Sequence, residues 1–165
     1  EDSNTDHLYE SGSHKKGSDI ETQEQKFSVK SSKNENGLLT ISSFRLSRFG
    51  DNLTQMIEFI DNDGKNFDNY LVLSRNESDE EIKYSFYILP SSIFSASNMN
   101  WVKTLNRRNE VSGWNTTGNN NISLKIVKSM SNQLWISIRT DYLQDYLAFE
   151  VTRELSTLGK SRFIA

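Results

Sequence analysis

Apolar positions along this chain fall into short alternating runs, interrupted by a helical stretch. Tyr70-Leu71-Val72-Leu73-Ser74 is a compact apolar run and reads as a central strand. Ile82 to Leu89 sets Tyr84, Phe86 and Ile88 against Ser85 and Tyr87, a strand stopped by Pro90 before a turn or short helix over residues 91–94. Residues 122–127 and 134–138 alternate in the same way, with Ser131-Asn132 as the turn between them. Leu38 to Ser42 is a further strand, entered through the turn signal Lys33-Asn34-Glu35-Asn36-Gly37. From Phe44 the period changes. Leu46, Phe49, Leu53, Met56, Ile57 and Ile60 recur at steps of three and four, which predicts an amphipathic helix ended by Asn62-Asp63-Gly64. Gly50 marks its true start or a close contact. Asp61, Asp63 and Gly64 have the look of a calcium loop, but the downstream Glu is missing and that reading is set aside. Tyr146, Phe149 and Leu155 have a partly helical spacing and predict a final helix over residues 142–158.

The two polar stretches read differently. Leu8 and Tyr9 are the first apolar pair, after a flexible start over residues 1–9, and predict a short helix ending near Glu10. Residues 11–18, Ser-Gly-Ser-His-Lys-Lys-Gly-Ser, form a loop whose lysines and N–H groups suit a phosphate backbone. Residues 95–121 carry Trp101, Arg107, Arg108 and Trp114 among many Asn and Ser, without a core pattern. A polar segment of that length reads as an insertion or recognition loop.

The chemistry concentrates near residue 20. Gly17-Ser18-Asp19-Ile20 and Phe27-Ser28-Val29-Lys30-Ser31 predict a hairpin turning at Gln23-Glu24-Gln25. Folding there sets Asp19 opposite Val29, beside Ser28 and Lys30. Alternation gives it an apolar underside, Phe27 and Val29, and a polar top with Ser28 and Lys30. A carboxylate can hold Mg²⁺, and a lysine beside it can orient water and offset phosphate charge.

Composition narrows the field. At 165 residues the chain is most simply one domain, 35% hydrophobic and 25% charged, which are soluble values. It has no apolar run of membrane length and no secretory core, and it begins at Glu1 rather than Met, compatible with removal of an upstream segment. The absence of cysteine excludes disulfides, thiolate zinc sites and cysteine nucleophiles, and fits a cytoplasmic setting. Two histidines, His7 and His14, are too few for a His-rich metal centre. A net charge of −3 argues against broad DNA coating but not against a DNA enzyme with clustered basic residues.

The hairpin resembles the PD-(D/E)xK, restriction-endonuclease-like nuclease superfamily, most strongly over residues 10–90. On that resemblance Asp19 is the metal-binding Asp, Ser28-Val29-Lys30 is the (D/E)xK element, and Glu10 is the acid supplied by a preceding helix. Ser28 departs from the pattern, since an acid is expected there. Glu10 and Glu21 are the nearest carboxylates to replace it. The resemblance implies an α+β (mixed α/β) domain with a central mixed sheet flanked by helices, and a Mg²⁺-dependent (or Mn²⁺-dependent) type II restriction endonuclease acting as a homodimer on double-stranded DNA. Catalysis would rest on Asp19, Lys30, Glu10 and Ser28, metal binding on Asp19, Glu10 and Glu21. DNA contacts would come from Lys15, Lys16, Lys33, Arg107, Arg108 and Trp114.

Two rivals stand beside this expectation. A β-rich module that binds DNA or another partner without cutting is favoured by Ser28. An interaction domain of a larger surface protein is favoured by low basicity, the absent Met and the Asn/Ser richness. No Ser-His-Asp signature, phosphate loop or dinucleotide fingerprint is present.

Overall fold

Asn36 and Gly37 both take positive φ, 54° and 74°, and close the first long hairpin in a two-residue turn whose twist suits the flanking strands. Everything else is laid out from that hairpin. The computed structural model describes residues 9–10 and 19–155, apart from the side chains of Tyr9, Glu10, Lys33 and Glu35. Its strands are β1 (Tyr9–Glu10), β2 (Ile20–Glu21), β3 (Lys26–Glu35), β4 (Leu38–Arg45), β5 (Asn69–Glu77), β6 (Glu81–Pro90), β7 (Asn100–Leu105), β8 (Val111–Thr117), β9 (Ile122–Val127), β10 (Gln133–Arg139) and β11 (Leu147–Glu154). Helix α1 spans Leu53–Asp63. The result is an α+β arrangement made mostly of sheet.

The strands follow one path, β11-β6-β5-β3-β4-β10-β9-β8-β7, with β2 attached to β3 and β1 to β2. β3 is the joint. It runs parallel to β5 over Phe27–Lys33, then pairs with β4 at Asn34 and Glu35. The other described pairings are antiparallel. The path therefore has a first half, β11-β6-β5-β3, and a second half, β4-β10-β9-β8-β7.

In the second half alternate residues point inward. Ile122, Leu124 and Ile126 of β9 and Leu134, Ile136 and Ile138 of β10 are all buried, with Leu39 and Ile41 of β4. They share one core with Met56 and Ile60 of α1 and with Tyr70, Val72, Tyr87 and Leu89 of the first half.

Several expectations are corrected. The predicted helix begins only after Gly50 (φ 56°). Asn52 caps it, accepting the Gln55 N–H at 3.2 Å, while Leu46 and Phe49 pack on the core from a preceding 3-10 turn. Residues 147–154 are a strand, not a helix. Phe149 and Val151 face one side and pair with Phe86 and Tyr84, and the alternation outweighs the partial helical spacing. The stretch from 95 to 121 is not a loop but mainly the β7–β8 hairpin. Trp101 and Trp114 anchor it in or against the core, and its polar look comes from residues on the outer side. Tyr9–Glu10 is a strand rather than a helix end. Among the described residues one α-helix accompanies the sheet, so the sheet is not flanked by helices in the plural. No described helix is long and apolar enough to cross a membrane.

Candidate functional site

Thr22 builds the turn that brings the predicted hairpin together. Its Oγ1 accepts from the Gln25 N–H at 3.0 Å, and its own N–H donates to the Gln25 carbonyl at 2.8 Å. Ile20 pairs with Phe27 and Glu21 with Lys26. Continued outward, this register sets Asp19 opposite Ser28, one residue from the predicted Val29. The Asp19 N–H donates to the Phe27 carbonyl at 2.7 Å.

Asp19 Oδ2 accepts the Val29 N–H at 2.7 Å and the Ser28 hydroxyl at 3.2 Å, and Lys30 Nζ lies 4.0 Å away. The three predicted residues are thus brought together. All three contacts fall on Oδ2, and Oδ1 takes none from the described residues. A 4.0 Å separation is longer than a charge-assisted hydrogen bond, which leaves room for an oxygen held between the carboxylate and the ammonium.

The faces of β3 are reversed from expectation. Ser28 is 6% exposed and Val29 38%. Ser28 lies beside Tyr70 and Lys30 beside Val72, both in the core. The bulk of Tyr70 fills the space there, and a serine is the small neighbour that fits. Burial and the nearby Asp63 charge push the Tyr70 hydroxyl pKa well up, so it stays protonated.

Glu21 stands two residues from Asp19 on the same side of β2 and pairs with Lys26 at 3.7 Å. Glu10 pairs with Ile20 through its backbone, while its side chain lies outside the described residues, as do Lys15, Lys16 and the Lys33 side chain. Among the described residues no three His, Asp or Glu side chains gather as a metal site. Mg²⁺ commonly takes one or two carboxylates and fills its shell with waters and phosphate oxygens, and Asp19 and Glu21 are the two carboxylates that alternation puts on one side of this hairpin.

Arg107 and Arg108 are exposed at the tip of the β7–β8 hairpin. Asn106 Oδ1 orders that tip, accepting from the Arg108 N–H at 2.8 Å and the Glu110 N–H at 3.0 Å. The sheet path puts β7 at the far end of the second half from β3, so the structure does not gather these arginines at the Asp19 hairpin. Trp114 is 2% exposed, a core residue and not a stacking surface for bases.

Two polar clusters escaped the sequence reading. Ser85 Oγ donates to Glu150 Oε1 at 2.7 Å, and Lys83 Nζ meets Oε2 at 2.8 Å. Lys83, then Ser85, hold the Glu150 carboxyl below its usual range, and Glu150 raises Lys83 in return. The alternation of Phe149 and Val151 was the one signal that residue 150 lies on a strand. The second cluster borders a cavity of about 600 Å³ lined by Asp61, Lys65, Asp68, Tyr70, Ser91 and Phe94. Asp61 accepts the N–H groups of Ala96 at 2.6 Å and Ser97 at 3.0 Å, and the Ser95 hydroxyl at 3.3 Å. Burial raises its pKa, but the hydrogen bonds from Ser97, Ala96 and Ser95 prevail and lower it.

No family model, curated protein or solved structure matches this chain.

Proposed function

We propose that the chain is a metal-dependent nuclease that hydrolyses phosphodiester bonds in double-stranded DNA, of the restriction-endonuclease-like, type II kind, working in the cytoplasm. The observation that carries this reading is the seating of Asp19 and Lys30 on neighbouring strands, 4.0 Å apart, with Oδ2 pinned by the Val29 N–H. The order β2, β3, β4, α1, β5, β6 around a mixed sheet supports the fold part of the reading.

In this reading Asp19 and Glu21, with Glu10 as a further carboxylate, hold Mg²⁺ or Mn²⁺. The ion, when bound, polarises the phosphate and acidifies water. Lys30 orients the attacking water and offsets charge developing on the phosphate. Ser28 keeps Asp19 in position and does not touch substrate. The Lys15-Lys16 loop and Lys33 supply contacts to the duplex backbone.

The test is cleavage of mixed-sequence plasmid DNA with Mg²⁺ or Mn²⁺, wild type beside Lys30→Ala and Asp19→Asn. Wild type is expected to give discrete fragments, and Lys30→Ala to slow cutting by about 10²–10⁴-fold, the usual contribution of a positioned proton-transfer group. Equal cutting by all three proteins, or none by wild type at low salt with either metal, overturns the proposal.

A second reading is a module that binds DNA without cutting it. It is favoured by Ser28, a hydroxyl where an acid is expected, spending its hydrogen bond on Asp19. There Asp19 is a clamp for the hairpin, and Asp19→Ala leaves DNA retention in a gel-shift assay unchanged.

A further inference from the structure

The cavity of about 600 Å³ beside α1 is of a size that holds a small molecule. It lies where the end of α1, the stretch leading into β5 and the turn after β6 converge. Phe67, Tyr70 and Phe94 form its apolar wall. Phe67 meets Tyr70 edge-on with ring centroids 4.7 Å apart, and Phe94 lies nearly parallel to Tyr70 at 6.3 Å. Tyr70 is 2% exposed, yet its hydroxyl shares no hydrogen bond with any described residue. A polar group so deeply enclosed normally has a partner. Asp68 lines the cavity as well. Its Oδ2 accepts the Lys26 N–H at 2.8 Å, while Oδ1 takes no bond from the described residues.

We propose that this cavity binds a small organic cation, a protonated primary amine carried on an apolar chain. Charge sets the sign of the ligand. Asp61 and Asp68 line the cavity, and the charge of Asp63 reaches the Tyr70 hydroxyl. The C-terminal end of α1, the negative end of its dipole, stands at the border. Lys65 is the one cation of the lining, and its Nζ turns to Asn62 Oδ1 at 3.0 Å. An anionic ligand would meet repulsion here.

The donor and acceptor pattern sets the class. Asp61 spends both of its oxygens on Ala96, Ser97 and Ser95. Among the described residues no three His, Asp or Glu side chains gather as a metal site, so the negative charge is not arranged for a bare metal ion. An ammonium brings only donors, and Asp68 Oδ1 and the Tyr70 oxygen are the open acceptors. Aromatic rings attract a cation and pack on its chain. An uncharged chain of the same length would meet the same apolar wall but would leave Asp68 without a counter-charge.

The test titrates the full chain with pentylamine, with pentanol as the uncharged counterpart and inorganic phosphate as an anion, and follows backbone amide shifts by NMR. Pentylamine is expected to bind in the millimolar range and to move amides clustered in residues 60–70 and 91–97. Pentanol and phosphate are expected to bind far more weakly. Asp68→Asn keeps an oxygen for the Lys26 N–H but removes the charge. It is expected to weaken the amine about tenfold or more, the usual scale for losing a hydrogen bond to a charged group. Tyr70→Phe keeps the ring and is expected to weaken it by a smaller factor. Pentanol or phosphate binding as tightly as pentylamine overturns the proposal. So do amine shifts that are absent or fall elsewhere, and amine binding that neither substitution weakens. If Asp68→Asn fails to fold, Tyr70→Phe decides alone. No measurement here uses DNA or metal, so this proposal and the nuclease reading fail separately.

Discussion

The two halves of the sheet path use the same alternation and spend it in opposite directions. In β9 and β10 the apolar positions are buried and the polar ones face out, as a one-sided antiparallel sheet requires. In β3, β5 and β6 some inward positions are serines (Ser28, Ser74 and Ser85 are buried), while Val29 and Ile88 face solvent. The first half therefore has work for both faces. Its inner side closes the shared core with Tyr70, Val72, Tyr87 and Leu89, and the small serines sit among them. Its outer side keeps apolar residues in contact with water, Val29, Ile88, Phe149 and Val151. Alternation tells which residues share a face, but it names the buried face only when the other face is meant for water.

The sharpest way to break this comparison is a matched pair of truncations. Ile136→Ala in the second half is expected to cost about 3 kcal/mol in urea denaturation, the usual cost of emptying a buried isoleucine site. Ile88→Ala is expected to cost less than ~1 kcal/mol because the side chain is already in contact with water. Equal losses would mean that the outward face is covered within a single chain.

A smaller effect is expected at the seam between α1 and the turn before β7. Asp61→Asn keeps the shape but removes the charge that three donors address, and is expected to cost about 1–2 kcal/mol at neutral pH by the same denaturation measurement. The sign with pH follows from the lowered pKa. The Asp61 contribution is complete above its ordinary 3.8 and is lost as pH falls through the folded-state value. The wild-type advantage over Asp61→Asn is therefore expected to shrink in acid.

The smallest expected effect belongs to Glu150→Gln on β11, where the Lys83 pair is well exposed and screened by salt. The loss is expected to stay below ~1 kcal/mol and to shrink as salt is added. Glu150 is lowered, so its share is present above 4.5 and fades as pH drops. Lys83 is raised, so its share is present below 10.5 and fades as pH climbs through the folded-state value. A thermal-shift series across both limbs, wild type against variant, checks the two signs together.

Much of the strand order was legible because β6, β9 and β10 alternate and β5 is a compact apolar run, with Pro90 and the Ser131-Asn132 turn as boundaries. The Asp19, Ser28 and Lys30 cluster was legible because its hairpin is local. Its exact register was not: the turn is set by Thr22 Oγ1 and Gln25, and that contact moves Asp19 by one residue. Which face of β3 is buried was also hidden, since β5, some forty positions later, decides it through Tyr70. β11 was read as a helix because its partner, β6, is more remote still, with Ser85 and Glu150 65 positions apart. Arg107 and Arg108 looked like members of one site because sequence carries no distance, and in the sheet path β4, β10 and β9 lie between β3 and the hairpin that carries them.

The change of neighbour along β3 has a kinetic consequence. Its C-terminal end meets β4 across the Asn36-Gly37 turn, a hairpin that closes in roughly 1–10 μs. Its N-terminal end must wait for α1 to form and for β5 to arrive, and the Lys26 N–H to Asp68 bond spans 42 positions. Closing that loop precedes any gain from the parallel ladder, as closing the longer loop between Ser43 and Gln133, 90 positions apart, precedes the β4–β10 ladder. The β3 end of the segment carrying Asp19, Ser28 and Lys30 then settles on the core only after β5 arrives. The Asp19 contacts to Ser28, Val29 and Lys30 are local to the hairpin, but the buried seat of Ser28 and Lys30 beside Tyr70 and Val72 does not exist until β5 is in place.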